Sequence, residues 1–462
     1  KSLRERQFVE DASPTSHPIQ PESYISMNNF YTATVYEKGA EVIRMIHTLL
    51  GEEKYRKATD LYFESFDAQA VTTNDFLWAM SSASGVDLTQ FERWYHQNGT
   101  PLLDVQEKFE DGVYELTLIQ KVPNALNGEE QKPYYYPLKI GLLDESGEEI
   151  VAQTLIVSQE REVFTFKDVK SKPIISLNRD FSAPIIIQKK ENDFAFLMKH
   201  DTNSFVRYES AQVFATQTIE SMMQGESINE EFVAAYGYLL DLDVDLSFKA
   251  LLLELPSVST LMQRQDVIDF DLIFEAKENL EKHIAKVHKD KLLELYLEFH
   301  NPLSSAIDSV NMAQRAIKNR CLKILSALGE EDIVLLANTQ YQSSLTMTDK
   351  ITALDILENT DAGLSSLALA DFYKKYKDDT LVMNKYFSIL AASQREGTLD
   401  RVMALQNDEA YDEKVPNLVR SLVGVFARNY KYFHAKDAKG YKFIAHKIIE
   451  IDAINPQMAS GL

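Results

Sequence analysis

Apolar positions change their spacing twice along the chain, and the changes mark three stretches. Residues 1 to about 100 keep a helical period. From Val35 the apolar positions Val35, Val42, Ile46 and Leu49 share one helical face, and Gly51 stops the run. "TTNDFLWAMSSASG" repeats the pattern, with Asn74 as the expected N-cap and Gly85 as the residue after the last turn. "DLTQFERWYHQNGTP" closes the stretch at a turn. Residues 101–189 switch to short β-branched and aromatic runs: "PLLDVQEKF", "GVYELTLIQKV", "YYYPLKIGLL", "EIVAQTLIV", "EVFTFKDV" and "APIIIQ". Gly, Asp, Asn and Pro separate them, which predicts a small β-sandwich. Residues 190–462 return to amphipathic helical segments joined by short polar turns, with no fixed repeat period. That texture predicts an irregular α-solenoid. The fold class is therefore multidomain and mainly α, with one small β-sandwich between two helical regions.

The length of 462 residues and the 45% hydrophobic content agree with several folded domains. A net charge of −22 argues against nucleic acid, whose phosphates require a basic surface. The acids are dispersed, as on solvated faces. No window approaches 18 consecutive apolar residues, so no membrane span is predicted. The single cysteine, Cys321, lies in the apolar helical run "RCLKILSAL" and reads as a small buried hydrophobe. One cysteine excludes an internal disulfide framework and fits a reducing, cytoplasmic compartment. "KSLRERQFVEDASP" has no apolar signal-peptide core, and the opening reads as the interior of a longer chain.

Most catalytic signatures are missing. No phosphate-binding glycine loop, no G-x-S-x-G elbow, no C-x-x-C and no H-E-x-x-H occurs. His283 and His288, the closest histidine pair, are five apart, so their rings diverge by about 140° on a helix. They read as solvated helix surface, and no metal ligand is assigned. Asn98-Gly99-Thr100 has the form of a glycosylation acceptor but reads as a turn.

One short stretch stands out. "NNFYTATVYEKGAEVIRMIHTLLG" places Tyr31 and Tyr36 at the opening of a helix. A tyrosine hydroxyl donates one directed hydrogen bond and ordinarily keeps its proton near neutral pH. In the first helical turn it can be aimed into a cavity, where it suits stabilisation of a tetrahedral oxyanion. Spacing alone equally permits Tyr31 and Tyr36 to be packing residues.

"QFVEDASPTSHPI", "FYTATVYEKGAEVIRMIHTLLG", "FERWYHQNGTP" and "AINPQMAS" together resemble the aminopeptidase N family of zinc metallo-aminopeptidases, in particular its bacterial alanyl members. The resemblance covers the whole chain. It implies a C-terminal portion: the end of a thermolysin-like catalytic domain (1–100), a β-sandwich domain (101–189) and a helical C-terminal domain (190–462). It implies that Tyr36 is the oxyanion-stabilising tyrosine, that Asn28 and Tyr31 lie near the substrate cleft, and that Gln457 faces the cavity. Glu37 and Lys38 are expected to anchor the helix start rather than to touch substrate. Four residues after Gln457 the bacterial members carry an Arg; here the position is Gly461, which puts the last segment's contribution in doubt.

The family's zinc-binding H-E-x-x-H, its third zinc ligand and its G-x-M-E-N amine-binding loop lie upstream of "EDASP" and are not in these residues. The resemblance therefore implies a piece that is inactive alone. Zinc would belong to the intact parent, the upstream catalytic half-domain would be its partner, and peptides would be the substrates. The alternative is a non-catalytic α-solenoid scaffold that binds peptide or protein on a concave face.

Overall fold

The computed structural model describes residues 3–126, 128–189 and 193–462. They form two compact units that divide between Phe214 and Ala215. In the first unit, a five-residue π turn, Leu3–Gln7, runs into helix Phe8–Asp11. A second π turn, Thr34–Lys38, runs into helix Gly39–Leu50. That helix buries Val42, Met45, Ile46 and Leu50, spaced three and four apart, while Val35 and Leu49 sit half-buried at the edge of the same face. Helices Glu52–Phe66 and Thr73–Ser84 follow. The latter starts differently from the sequence expectation. Its cap is Thr72, not Asn74, because Asp75 three residues on accepts both the Thr72 amide (2.7 Å) and its hydroxyl (2.9 Å). Such a reciprocal box satisfies more end groups than a lone asparagine two residues further in.

The strands form two sheets. β1 (Leu102–Glu110), β2 (Val113–Lys121), β5 (Arg161–Phe166) and β7 (Ile186–Lys189) make one, in the order β5-β2-β1-β7. β3 (Tyr136–Leu143), β4 (Glu149–Val157) and β6 (Ile174–Leu177) make the other, in the order β4-β3-β6. β1 and β2 turn through Asp111-Gly112, both at positive φ (50° and 76°), which keeps Glu110 opposite Val113. β2 alternates, turning Tyr114, Leu116 and Leu118 into the core. β3 is buried on nearly every residue because helix Gly39–Leu50 also packs on it. β6 has no counterpart among the six runs read from the sequence. Trp94 joins helices to sheets: it is fully buried, its indole N–H donates to the Tyr135 carbonyl (2.9 Å), and its ring lies 4.2 Å from that of Tyr134. The first helical segment after the strands, Phe194–His200, remains with this unit because Leu197 and Val206 share a small core with Leu143 of β3.

A buried ion pair crosses this unit. Lys38 Nζ lies 2.9 Å from Asp11 Oδ2, and both side chains are about 1% exposed. Removing two charges from water is costly unless every remaining polar site is filled. Here both groups gain further hydrogen bonds. Asp11 accepts the Gly99 amide (3.1 Å) and the Thr100 hydroxyl (3.0 Å), and Lys38 donates its second bond to the Gly99 carbonyl (3.0 Å). Ser16, which accepts the Asn98 side-chain amide at 2.8 Å, lies beside the pair. Gly99 has φ +83°, and a β-carbon there would press on Pro123 at 3.2 Å, so a side chain would both strain and crowd this position. Asn98-Gly99-Thr100 is thus a turn, as read, but a buried one.

In the second unit, the remainder of helix Ser204–Met223 is followed by helices through Pro456–Ala459. The acids help to start them: the Asp245, Asp269, Asp308, Asp361 and Asp379 side chains each accept first-turn amides. One apolar core gathers Met383, Phe387, Val402, Leu422, Phe426, Phe443 and Ile451. Cys321 is fully buried, as expected, and burial pushes its thiol up to about 12. Two polar clusters lie inside. Lys318 bonds Asp349 and Gln340, each at 2.9 Å, with Asn319 bridging them. Glu358, fully buried, accepts Ser365 (2.5 Å), Ser393 (2.8 Å) and Arg401 (2.5 Å). Burial alone would raise its pKa; the Ser365, Arg401 and Ser393 bonds outweigh that and hold it below the usual 4.5.

Two predictions follow from these interiors. Lys38→Met leaves Asp11 buried without its cation and is expected to cost about 3–5 kcal/mol in urea unfolding. Asp11→Asn combined with Lys38→Met should recover part of that loss, because no uncompensated charge remains. Glu358 has a depressed folded-state pKa, so its stabilisation is complete above about 4.5 and is lost as pH falls through the folded value. Glu358→Gln should therefore destabilise the chain by about 1–3 kcal/mol at pH 7. The gap from the parent sequence should close as unfolding is repeated below pH 4.5.

Candidate active site

Tyr36 sits in the π turn Thr34–Lys38, just ahead of the α-helix proper. Thr34 and Lys38, at the two ends of this turn, are buried, while the Tyr36 side chain between them is 58% exposed. Tyr31 is 69% exposed and stacks on Tyr36, with centroids 5.9 Å apart and planes at 21°. Asn28 is exposed and belongs to the 3-10 turn Met27–Phe30; its carbonyl accepts the Tyr31 amide at 3.2 Å. Tyr24, Ile25 and Met27 extend the exposed apolar run, Ile25 being 99% exposed. Asn28, Tyr31 and Tyr36 are therefore carried by one short stretch.

The stretch is held from behind by one face of the first helical segment. Arg6, Gln7, Glu10 and Asp11 stand at i, i+1, i+4 and i+5, so their side chains leave on the same side. Arg6 donates to Glu37 (2.9 Å), and the Gln7 side-chain amide to the Thr34 hydroxyl (3.4 Å). Glu10 accepts the Thr34 amide at 2.8 Å and the Ala33 amide at 3.3 Å through different carboxylate oxygens. Asp11 takes Lys38. Lys38 and Glu37 thus anchor the helix start, as expected. Glu10 and Asp11 are positioning groups that residue-by-residue reading did not single out. Their signal was available in the i, i+1, i+4, i+5 spacing of "RQFVED".

Gln457 lies in the second unit, exposed in the short helix Pro456–Ala459, whose cap Asn455 accepts the Met458 amide at 3.1 Å. The histidine pair differs from expectation. His288 is not on a solvated surface; its ring packs against Gly237 and its Nε2 lies 2.9 Å from the Val233 carbonyl, while His283 sits 3.1 Å from Glu230. Among the described residues, no group of three or more His, Cys, Asp or Glu side chains converges to hold a metal ion. The donor set present here does not fit a zinc centre, which needs three or four converging ligands. Among the described residues, no helix is long and apolar enough to cross a membrane.

The sequence is similar to known proteins along its whole length. Residues 2–95 match "Peptidase family M1 domain", residues 99–190 "Domain of unknown function (DUF3458) Ig-like fold", and residues 191–462 "Domain of unknown function (DUF3458_C) ARM repeats". The chain is 37% identical to aminopeptidase N of Escherichia coli (strain K12), over 100% of this chain and 55% of that protein. It is 36% identical to aminopeptidase N of Haemophilus influenzae over the same shares. The chain thus spans about half the length of the curated relatives it matches. Among solved structures it superposes on Legionella pneumophila aminopeptidase A in complex with aspartic acid. There the TM-score is 0.86 at 30% identity, covering 96% of this chain and 53% of that one. With three consecutive family matches and relatives aligned from end to end of this sequence, the chain belongs to the aminopeptidase N family of M1 peptidases and corresponds to its C-terminal portion.

Proposed function

We propose that these residues form the C-terminal part of a zinc-dependent aminopeptidase that removes N-terminal residues from peptides, and that Tyr36 donates a hydrogen bond to the developing oxyanion. The observation that carries this reading is the placement of Tyr36: both ends of its turn are buried and tethered, while its side chain stays open to the outside. A fixed donor on a rigid base adds little reorganisation when charge develops, which is what oxyanion stabilisation requires. Asn28 and Tyr31 border the same surface and are proposed to contact substrate near Tyr36. Gln457 is proposed as a further cavity residue on the helical unit. The three stretches 1–100, 101–189 and 190–462 are proposed as the end of the catalytic domain, the β-sandwich domain and the helical C-terminal domain.

Zinc, the general base and the amine-binding loop are assigned to a segment that supplies H-E-x-x-H, and no step is assigned to the metal through this chain's own residues. That segment is the proposed partner. The exposed Tyr24, Ile25, Met27, Tyr31 and Tyr36 support it, since exposed apolar clusters often mark a surface that a partner covers. The 462 residues alone are proposed to be inactive, and the compartment to be the cytoplasm.

The test is steady-state hydrolysis of an alanyl chromogenic amide by the intact enzyme containing these residues. Tyr36→Phe should lower kcat by about 10²–10³-fold with little change in KM, as expected for loss of a donor used mainly in the transition state. An unchanged kcat would assign Tyr36 to packing.

A further inference from the structure

The Tyr36 turn is gripped at both ends, and the two grips differ. At its C-terminal end, Lys38 is held by a buried ion pair that also ties Gly99 and Thr100, so that contact serves the whole unit. At its N-terminal end, the Glu10 carboxylate holds the backbone amides that open the turn. One carboxylate oxygen accepts the Thr34 amide and the other the Ala33 amide. These are N–H groups of a helix start, which have no partner within the helix. His17 is the nearby titratable group, with Nε2 3.6 Å from Glu10 Oε1 and Nδ1 2.7 Å from the Pro18 carbonyl. Ala33 and Thr34 precede Tyr36 by three and two residues. A rotation of their peptide planes would therefore swing the phenol directly, and the Tyr36 amide is itself bonded to the Thr32 carbonyl (3.2 Å) on the same turn.

We propose that Glu10 is a positioning residue for Tyr36: its carboxylate clamps the two amides that open the turn and so fixes where the phenol points. This rests on the reading of Tyr36 as the oxyanion donor. Glu10 touches no reacting atom. It acts through Tyr36, and a displacement of about 1 Å at such a donor is enough to cost on the order of 10²-fold in rate. Glutamine cannot replace it, because one of its two terminal atoms is an NH₂ that would face an amide N–H.

The experiment is a double-mutant cycle in the intact enzyme. Glu10→Gln should lower kcat by roughly 10–100-fold with KM changed less than about twofold, and Glu10→Asp should recover part of the loss. In the Tyr36→Phe background, Glu10→Gln should lower kcat by less than about twofold, since the group it positions is already gone. An equal loss in both backgrounds overturns the proposal. A second readout uses the 462-residue chain without any activity. The stacked Tyr31–Tyr36 rings shift each other's NMR signals, and Glu10→Gln should move the Tyr36 ring resonances while Lys57→Gln, an exposed residue paired with Glu53 on helix Glu52–Phe66, should not. Unmoved Tyr36 resonances overturn the proposal, whatever the kinetics. If instead Tyr36→Phe leaves kcat intact while the resonances do move, the clamp stands and the oxyanion role falls.

Discussion

A carboxylate and an ammonium group buried against each other set the terms for the N-terminal unit. Asp11 and Lys38 are 27 positions apart, and the Gly99 amide is a further 61 beyond Lys38. Neither charge could remain in that interior unless the other stood within hydrogen-bond distance. Their pairing therefore obliges three remote segments to meet: the end of the first helix, the turn before helix Gly39–Leu50, and the buried turn that leads into β1. Gly99 supplies both an amide and a carbonyl to the pair, from a positive-φ backbone that favours glycine. The strands begin three residues later, so the same contact sets where the sandwich starts relative to the helices.

This has a consequence for the meaning of the sequence signature. "VEDASP", "VYEKGA" and "QNGTP", the segments that carry the family likeness, contain Asp11, Lys38 and Gly99. Much of what makes them recognisable is the electrostatic closure of one buried cluster. The residue proposed for chemistry, Tyr36, is the exposed member of a stretch whose neighbours are structural. Rigidity and function are joined here by adjacency: a chain that must bury Lys38 also presents Tyr36 two residues earlier on a tethered turn. The second unit uses the same device twice, around Lys318–Asp349 and around Glu358, where polar groups cross between helices and every charge has a partner.

Periodicity made most of the elements legible. The helical face at Val42 and Ile46, the alternation of β2 and the amphipathic helices after residue 190 are local properties, and local spacing reports them. β6 escaped because a four-residue strand after Lys172-Pro173 offers too short a run to show alternation. Thr72 escaped because the competing Asn74 has the stronger cap preference, and only the partner Asp75 decides for Thr72. His288 read as a surface residue because nothing near it in sequence reveals Gly237, the small residue that makes room for its ring. In the candidate site, helix-start position drew attention to Tyr36, but only the family resemblance favoured chemistry over packing. The spacing of Glu10 and Asp11 marks a shared helical face, but their partners, 23 to 27 residues on, leave no periodic trace.

On the proposed reading, Tyr36 on this chain and metal machinery on another segment make up one catalytic site. The most direct measurement is alanyl-amide hydrolysis with added zinc by three samples: this chain, a separately produced segment carrying H-E-x-x-H, and their mixture. Neither piece alone should show turnover above a chelated blank, while the mixture should show zinc-dependent turnover that Tyr36→Phe removes. Zinc-dependent turnover by the 462 residues alone would contradict it.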